Sequence, residues 1–181
     1  MSFLKELIFR LRGEWSTEKL VKTGMKVGKN FERLNNVLID DSHCWLIEIG
    51  DNVTLAPRVH ILAHDASTKH FLGYTKIGRV VIGNNVFVGA ETVILPGVAI
   101  GSNVVIGANS TVTHDIPDNS VAVGSPAKVV CSLEEYLVKE RGRMKIAPVY
   151  GKEYTLSEGI SDAMKAEQKH SLQINKKGFI V

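Results

Sequence analysis

At 181 residues with 44% hydrophobic side chains, the chain is long enough for one domain with a sizeable core and a small appendage, and too short to hold two compact domains comfortably. Its formal net charge of +3 is mild, and no Lys/Arg cluster with interleaved aromatics appears, so nucleic acid is not the partner expected. Cys44 and Cys131 stand far apart in no metal-like or redox-like spacing; neither a disulfide framework nor a zinc site is implied, and a reducing cytoplasm fits.

The chain opens with Phe3, Leu4, Leu7, Ile8 and Leu11 on one stripe at helical spacing, which predicts an amphipathic helix within a segment 1–24. Charged residues interrupt its apolar runs, so it is not a signal peptide, and no stretch approaches the roughly 20 apolar residues of a membrane span. The helix is expected to pack on its own or a neighbouring subunit rather than on a membrane surface.

Further on, the aliphatic residues Ile82, Val88, Ile94, Ile100, Ile106 and Val112 recur every six positions without a slip. Neither a helical period of 3.6 nor a strand period of two explains that count. A short strand, a turn and a repeat does, and three such hexads make a triangular coil of 18 residues whose equivalent side chains stack in an internal ladder. The phase extends upstream to Ile49, Leu55 and Ile61, and a motif of aliphatic, Gly, any residue, Asn, apolar recurs at Val27, Ile49, Ile82 and Ile100. The glycine after the aliphatic is read as giving the turn backbone freedom. Ile61 to Ile82 is 21 residues rather than 18, so three or more residues leave the coil in an excursion over about 64–77.

After Val112 the repeat fades. Ser132–Glu135 and Thr155–Glu158 both read as capping boxes, predicting helices at about 133–141 and 156–173 within a C-terminal extension 131–181 that caps the solenoid.

From Val27 to Val130 these residues resemble the hexapeptide-repeat acyltransferases, in particular the branch of maltose and galactoside O-acetyltransferases, most specifically in "ILPGVAIGSNVVIGANSTVTHDIPDNSVAVGSPAKVV". The resemblance implies a mainly β fold, a left-handed parallel β-helix over 25–130, assembled as a homotrimer with sites between subunits. It implies transfer of an acetyl group from acetyl-CoA, a co-substrate rather than a permanent cofactor, to a sugar hydroxyl. His64, which opens the excursion, matches the general base of that family, and imidazole suits the task because its proton affinity lies near neutrality.

By the same resemblance Ala90 and Ala108 lie along the pantetheine arm, with an N–H near Ala90 for the oxyanion; small residues at tight coil corners explain the two alanines equally well. Thr113 lies at the adenosine end and Lys128 faces the phosphates. His114 and Cys131 stand where many relatives carry basic residues, and Arg141 and Arg143 are candidates to compensate. On the acceptor side Asp41 aligns better than Asp40 with a sugar-binding aspartate. Trp45 either stacks on a sugar or plugs the end of the coil, and the plug is the reading favoured. The ring of His64 is oriented by Asp65, by a carboxylate from elsewhere or by a backbone carbonyl.

Two other classes compete. A zinc lyase resembling the γ-class carbonic anhydrases would draw on His60, His64 and His70, although their spacing does not match that family. A β-helical scaffold without catalysis would leave His64 incidental.

Overall fold

The computed structural model describes residues 14–181; the helix expected over Phe3–Leu11 lies outside them. The described chain divides into two compact units, one running to Leu133 and the other Glu134–Val181.

The first unit begins with helix α1 (Thr17–Lys22), capped by Ser16, whose hydroxyl accepts from the Lys19 amide. Four coils follow. Strands β1 (Lys26–Val27), β2 (Glu32–Arg33) and β3 (Leu38–Ile39) form the first, and β4 (Ile47–Ile49), β5 (Val53–Leu55) and β6 (His60–Ile61) the second. The excursion then leaves as an antiparallel pair, β7 (His64–Asp65) with β8 (Lys76–Ile77), around the short helix α2 (Lys69–Leu72). The third coil is β9 (Val80–Ile82), β10 (Val86–Val88) and β11 (Val93–Ile94), and the fourth is β12 (Ala99–Ile100), β13 (Val104–Ile106) and β14 (Thr111–Val112). Strand β15 (Ser120–Val123) stacks on β13, and β16 (Lys128–Ser132) folds back antiparallel along it. Equivalent strands pair in parallel on three faces, ordered β1-β4-β9-β12, β2-β5-β10-β13-β15 and β3-β6-β11-β14. This is the triangular coil the six-residue count predicts, and the left-handed β-helix the resemblance implies.

Side chains alternate along each short strand, so one residue in two points inward. Ile49, Ile82 and Ile100 stack along one edge of the core, Leu55, Val88 and Ile106 along the second, and Ile61, Ile94 and Val112 along the third, all buried. Each contributes about 1.5–3 kcal/mol of burial.

The corners divide the work differently from the sequence expectation. Gly28, Gly50, Gly83 and Gly101 do not have positive φ; the left-handed residues are the asparagines two positions on, Asn30, Asn52, Asn85 and Asn103, with φ between 54 and 58°. These asparagines tolerate that conformation and hydrogen-bond to one another up the stack, Asn30 to Asn52 at 2.9 Å, Asn52 to Asn85 at 2.9 Å and Asn85 to Asn103 at 3.0 Å. The glycines are required because the next coil passes too close for a Cβ: one at Gly83 would lie 2.8 Å from the Gly101 carbonyl carbon.

Register corrects the sequence reading of the excursion. Ile82 sits over Ile49, 33 residues earlier, so 15 residues beyond the 18 of an uninterrupted coil leave the stack between Ile61 and Ile82. A second, smaller departure lies one coil below: Val27 pairs with Ile49 at a step of 22, four over the regular count, and the extra residues fall in Asp40–Leu46. Both depart from the same edge of the coil, after β3 and after β6.

In the second unit α3 (Leu133–Met144) starts directly after Ser132, where the first capping box placed it. The second box does not start its helix. Leu156–Glu158 makes one 3₁₀ turn ended by left-handed Gly159, and Ser161 caps α4 (Asp162–Asn175), accepting from the Met164 amide at 3.2 Å. A two-stranded parallel sheet pairs β17 (Val149–Tyr150) with β18 (Phe179–Ile180).

Candidate active site

His64 lies just after the β6 edge of the coil, two residues beyond outward-turned Leu62, and its side chain is 37% exposed. Directly below it the extra residues of the first coil supply Asp40, whose carboxyl group is 1% exposed. Asp40 Oδ2 lies 2.5 Å from His64 Nδ1 and accepts from the Ala63 amide at 2.9 Å. Its Oδ1 accepts from the Ser42 amide at 3.1 Å, the Ser42 hydroxyl at 2.8 Å and the His43 amide at 3.2 Å. Burial alone would push the Asp40 carboxyl up, but the hydrogen bonds from Ser42, His64 and Ala63 outweigh it and hold the group below the usual carboxylate value.

An ionised, acceptor-only carboxylate assigns the protons around it. His64 carries its hydrogen on Nδ1, directed at Asp40, and its Nε2 presents a lone pair with no partner among the described residues. Ser42 gives its single hydrogen to Asp40, so His43 Nδ1, 3.0 Å away, is the donor to the Ser42 oxygen. Such an imidazole, fixed in tautomer by a buried carboxylate and open at the other nitrogen, can accept a proton from a bound hydroxyl.

The cleft beside this pair, about 200 Å³, is lined by His64, Asp41, Leu38, Leu62, Trp15 and Arg33 among others. Its wall includes an ion pair, Arg33 with Glu14 at 3.3 Å, both side chains 5% exposed. Desolvation lowers the Arg33 guanidinium from its ordinary value, and Glu14 and Glu18 partly restore it.

Asp41, expected on the acceptor side, is exposed and lines this cleft. Of the three orienting groups left open for the ring of His64, the structure shows a carboxylate from elsewhere in the chain, Asp40. Asp65 turns away: Lys76 Nζ at 2.5 Å and the Ser67 amide at 2.8 Å occupy its carboxylate, in that order of effect, and hold it at about 2. Trp45 is not a plug. It is 52% exposed, while Leu20, Met25 and Cys44 are buried in the lower end of the core. His43 and Ser42 were not singled out in the sequence. The 22-residue step that places 40–42 beneath 62–64 was the available signal.

Ala90 and Ala108 lie one above the other where β10 and β13 end, Asn109 N donating to the Ala90 carbonyl at 2.8 Å. Neither alanine's own N–H has a hydrogen-bond partner among the described residues. Lys128 opens β16 opposite Val123 on the same face, and the hydroxyl of Thr113 contacts His114 Nδ1 at 2.8 Å beyond β14. His64 and the two alanines therefore occupy different edges of the triangular coil, with the β6-β11 face between them. His60 and His70 do not join His64 within the chain: the cluster of three potential metal ligands among the described residues is Asp40, His43 and His64.

Stacked parallel coils of six-residue repeats, with a carboxylate-held histidine where an excursion leaves them, define a hexapeptide-repeat protein. A family model described as "Bacterial transferase hexapeptide (six repeats)" matches residues 79–114. The protein CapG of Staphylococcus aureus is 41% identical over 145 residues, which cover 75% of this chain and 83% of the relative. The chain belongs to the hexapeptide-repeat acyltransferase family. Among solved structures, a maltose O-acetyltransferase from Clostridium difficile 630 superposes with a TM-score of 0.54 at 44% identity, covering 60% of this chain and 59% of that one. A galactoside acetyltransferase in complex with coenzyme A gives 0.57 at 38% identity, covering 63% and 57%. The chain thus spans a little over half the length of those two acetyltransferases.

Proposed function

We propose that the protein is an O-acyltransferase that moves an acetyl group from acetyl-CoA to a hydroxyl of a saccharide-type acceptor, with His64 as general base. The observation that carries this is the His64–Asp40 pair at the edge of a cleft in a chain similar to acetyltransferases, one of them solved with coenzyme A. His64 Nε2 takes the proton of the acceptor hydroxyl as its oxygen forms a bond to the thioester carbonyl carbon. The carbonyl electrons move to oxygen, for which the N–H at Ala90 of the neighbouring edge is the donor assigned. On collapse the C–S bond breaks, and the thiolate of coenzyme A leaves with the proton held by His64. Asp40 keeps the ring in the required tautomer and faces the imidazolium that forms.

Ala90 and Ala108 are assigned to the pantetheine arm, Thr113 and Lys128 to the nucleotide end, and Asp41 to the acceptor. The base and the alanine pair lie on different edges of one chain, which favours a homotrimer in which one subunit's His64 edge meets the alanine edge of its neighbour. No helix among the described residues is long and apolar enough to cross a membrane. A cytoplasmic location, where acetyl-CoA is supplied, completes the reading.

The test is thiol release from acetyl-CoA with free sugars, nucleotide sugars and aminoglycoside-type amines as acceptors, in the wild type and His64→Ala. The variant is expected to lose about two orders of magnitude or more in turnover while its assembly mass and coenzyme binding persist. Unchanged turnover rejects the base. A protein that coenzyme A does not protect against thermal unfolding is a scaffold instead.

A further inference from the structure

The extra residues of the first coil exceed what a regular six-residue step needs, and of them Cys44 goes to the core. They form a 3₁₀ turn, Cys44–Leu46, anchored by fully buried Cys44 and by buried Ile47 after it. Between these anchors Trp45 is turned outward. Its root is fixed, because Gly24, at φ +121°, packs so closely that a Cβ there would lie 2.9 Å from Trp45 Cβ. The indole adjoins the His43 ring at 5.3 Å between centroids, and His43 adjoins the His64 ring at 5.2 Å. An aromatic strip thus runs from the assigned base outward, held by buried backbone at one end and by the Ser42 hydroxyl at the other.

We infer that Trp45 and His43 form the acceptor shelf of this site and that the ligand they take is a pyranose ring. The inference rests on the O-acyltransfer reading. One face of a pyranose carries C–H groups with slight positive character, and they match the electron-rich face of an indole while the hydroxyls stay at the wet rim. His43, with its hydrogen committed to Ser42, offers Nε2 as an acceptor for one of those hydroxyls. A ringless alcohol such as serine has no face to lay on the strip, so the shelf separates saccharides from small hydroxy compounds. Trp45 acts through binding and not through the reacting atoms.

The experiment compares the wild type with Trp45→Ala and Trp45→Phe, using methyl β-galactopyranoside and maltose as ring probes and serine as the ringless one. In thiol-release kinetics, Trp45→Ala is expected to raise the KM for the sugars about tenfold, with kcat and the KM for acetyl-CoA within about twofold. Trp45→Phe recovers most of the loss, and any transfer to serine is unaffected. In parallel, saturation-transfer NMR without coenzyme reads magnetisation passing from the protein to the sugar C–H face, a signal expected in the wild type and lost in Trp45→Ala. An unchanged sugar KM together with an unchanged NMR signal overturns the shelf. So does a fall in assembly mass for Trp45→Ala, which would make the indole a contact between copies of the chain. If no alcohol is acylated at all, the transfer reading fails, yet the NMR arm still decides the shelf: signal lost with Trp45 supports it, and no signal in the wild type rejects it.

Discussion

Replacing Asp40 by asparagine keeps the shape of the side chain, removes its negative charge and puts an NH₂ donor in place of one acceptor oxygen. Asp40 receives hydrogen bonds from the Ser42 amide and hydroxyl and the His43 amide on one oxygen, and from Ala63 N and His64 Nδ1 on the other. An asparagine has one oxygen for these five donors. Facing the oxygen to Ser42 and His43 keeps three of them and turns the NH₂ toward Ala63 and His64. The amide then donates to His64 Nδ1, the imidazole hydrogen moves to Nε2, and the nitrogen meant to take the acceptor's proton is already protonated. The Ala63 N–H is left buried against another donor, costing about 1–3 kcal/mol of stability. The opposite flip sets the NH₂ against two backbone donors, Ser42 N and His43 N, in place of one. Loss of the base tautomer forfeits most of what a positioned base supplies, so kcat is expected to fall about 10²- to 10⁴-fold, equivalent to about 3–5 kcal/mol of barrier. The assay is thiol release at saturating acetyl-CoA and acceptor, with a thermal-shift measurement of coenzyme binding alongside. Because the pair acts as a unit, the double variant with His64→Ala is expected to be no slower than His64→Ala alone. A kcat for Asp40→Asn within about threefold of wild type refutes the orienting role.

The same carboxylate makes stability depend on pH. Its folded value lies below the ordinary one, so its contribution is present above the ordinary carboxylate value of about 4 and disappears as pH falls through the folded value; the gap in melting temperature between wild type and Asp40→Asn therefore narrows as pH is lowered below about 4. Asp65→Ala, by contrast, is expected to leave kcat within about threefold, because that residue serves Lys76 and Ser67; a loss comparable to Asp40→Asn would contradict this. Gly83→Ala drives a Cβ to within 2.8 Å of the coil above and is expected to destabilise the unit by about 1–3 kcal/mol in chemical denaturation. Lys128→Ala is expected to raise the KM for acetyl-CoA at unchanged kcat, and more so at low salt than at high.

The coils from Ile82 to Val112 were legible because burial repeats every six residues there without interruption. The first coil was visible only through Val27 and its glycine and asparagine, since Arg33 breaks the aliphatic rhythm between Val27 and Ile39 and the next step, to Ile49, is ten. His64 was legible by position, and its partner was not. Asp40 and Asp41 are neighbours, one turned into the stack and one out to the cleft, and the choice is made by the Ala63 and Ser42 amides, which no local pattern announces. Trp45 misled for a related reason. An indole near the end of a solenoid suggests a plug, but Leu20 and Met25 fill that end and leave it outside. The second capping box failed because Gly159 ends its turn after one step and Ser161 offers a better start.

Every change in the length of the β-helical coils falls at one edge. From the first face to the second, and from the second to the third, equivalent positions always advance by six, whereas from the third back to the first the steps are 10 after Ile39, 21 after Ile61, 6 after Ile94 and 4 after Val112. Inserted segments of very different size are thus absorbed without disturbing the asparagine column or the aliphatic stack. That edge behaves as a socket: the rest of the prism keeps a fixed gauge, and new recognition can be fitted beside the same imidazole by exchanging what is threaded through it.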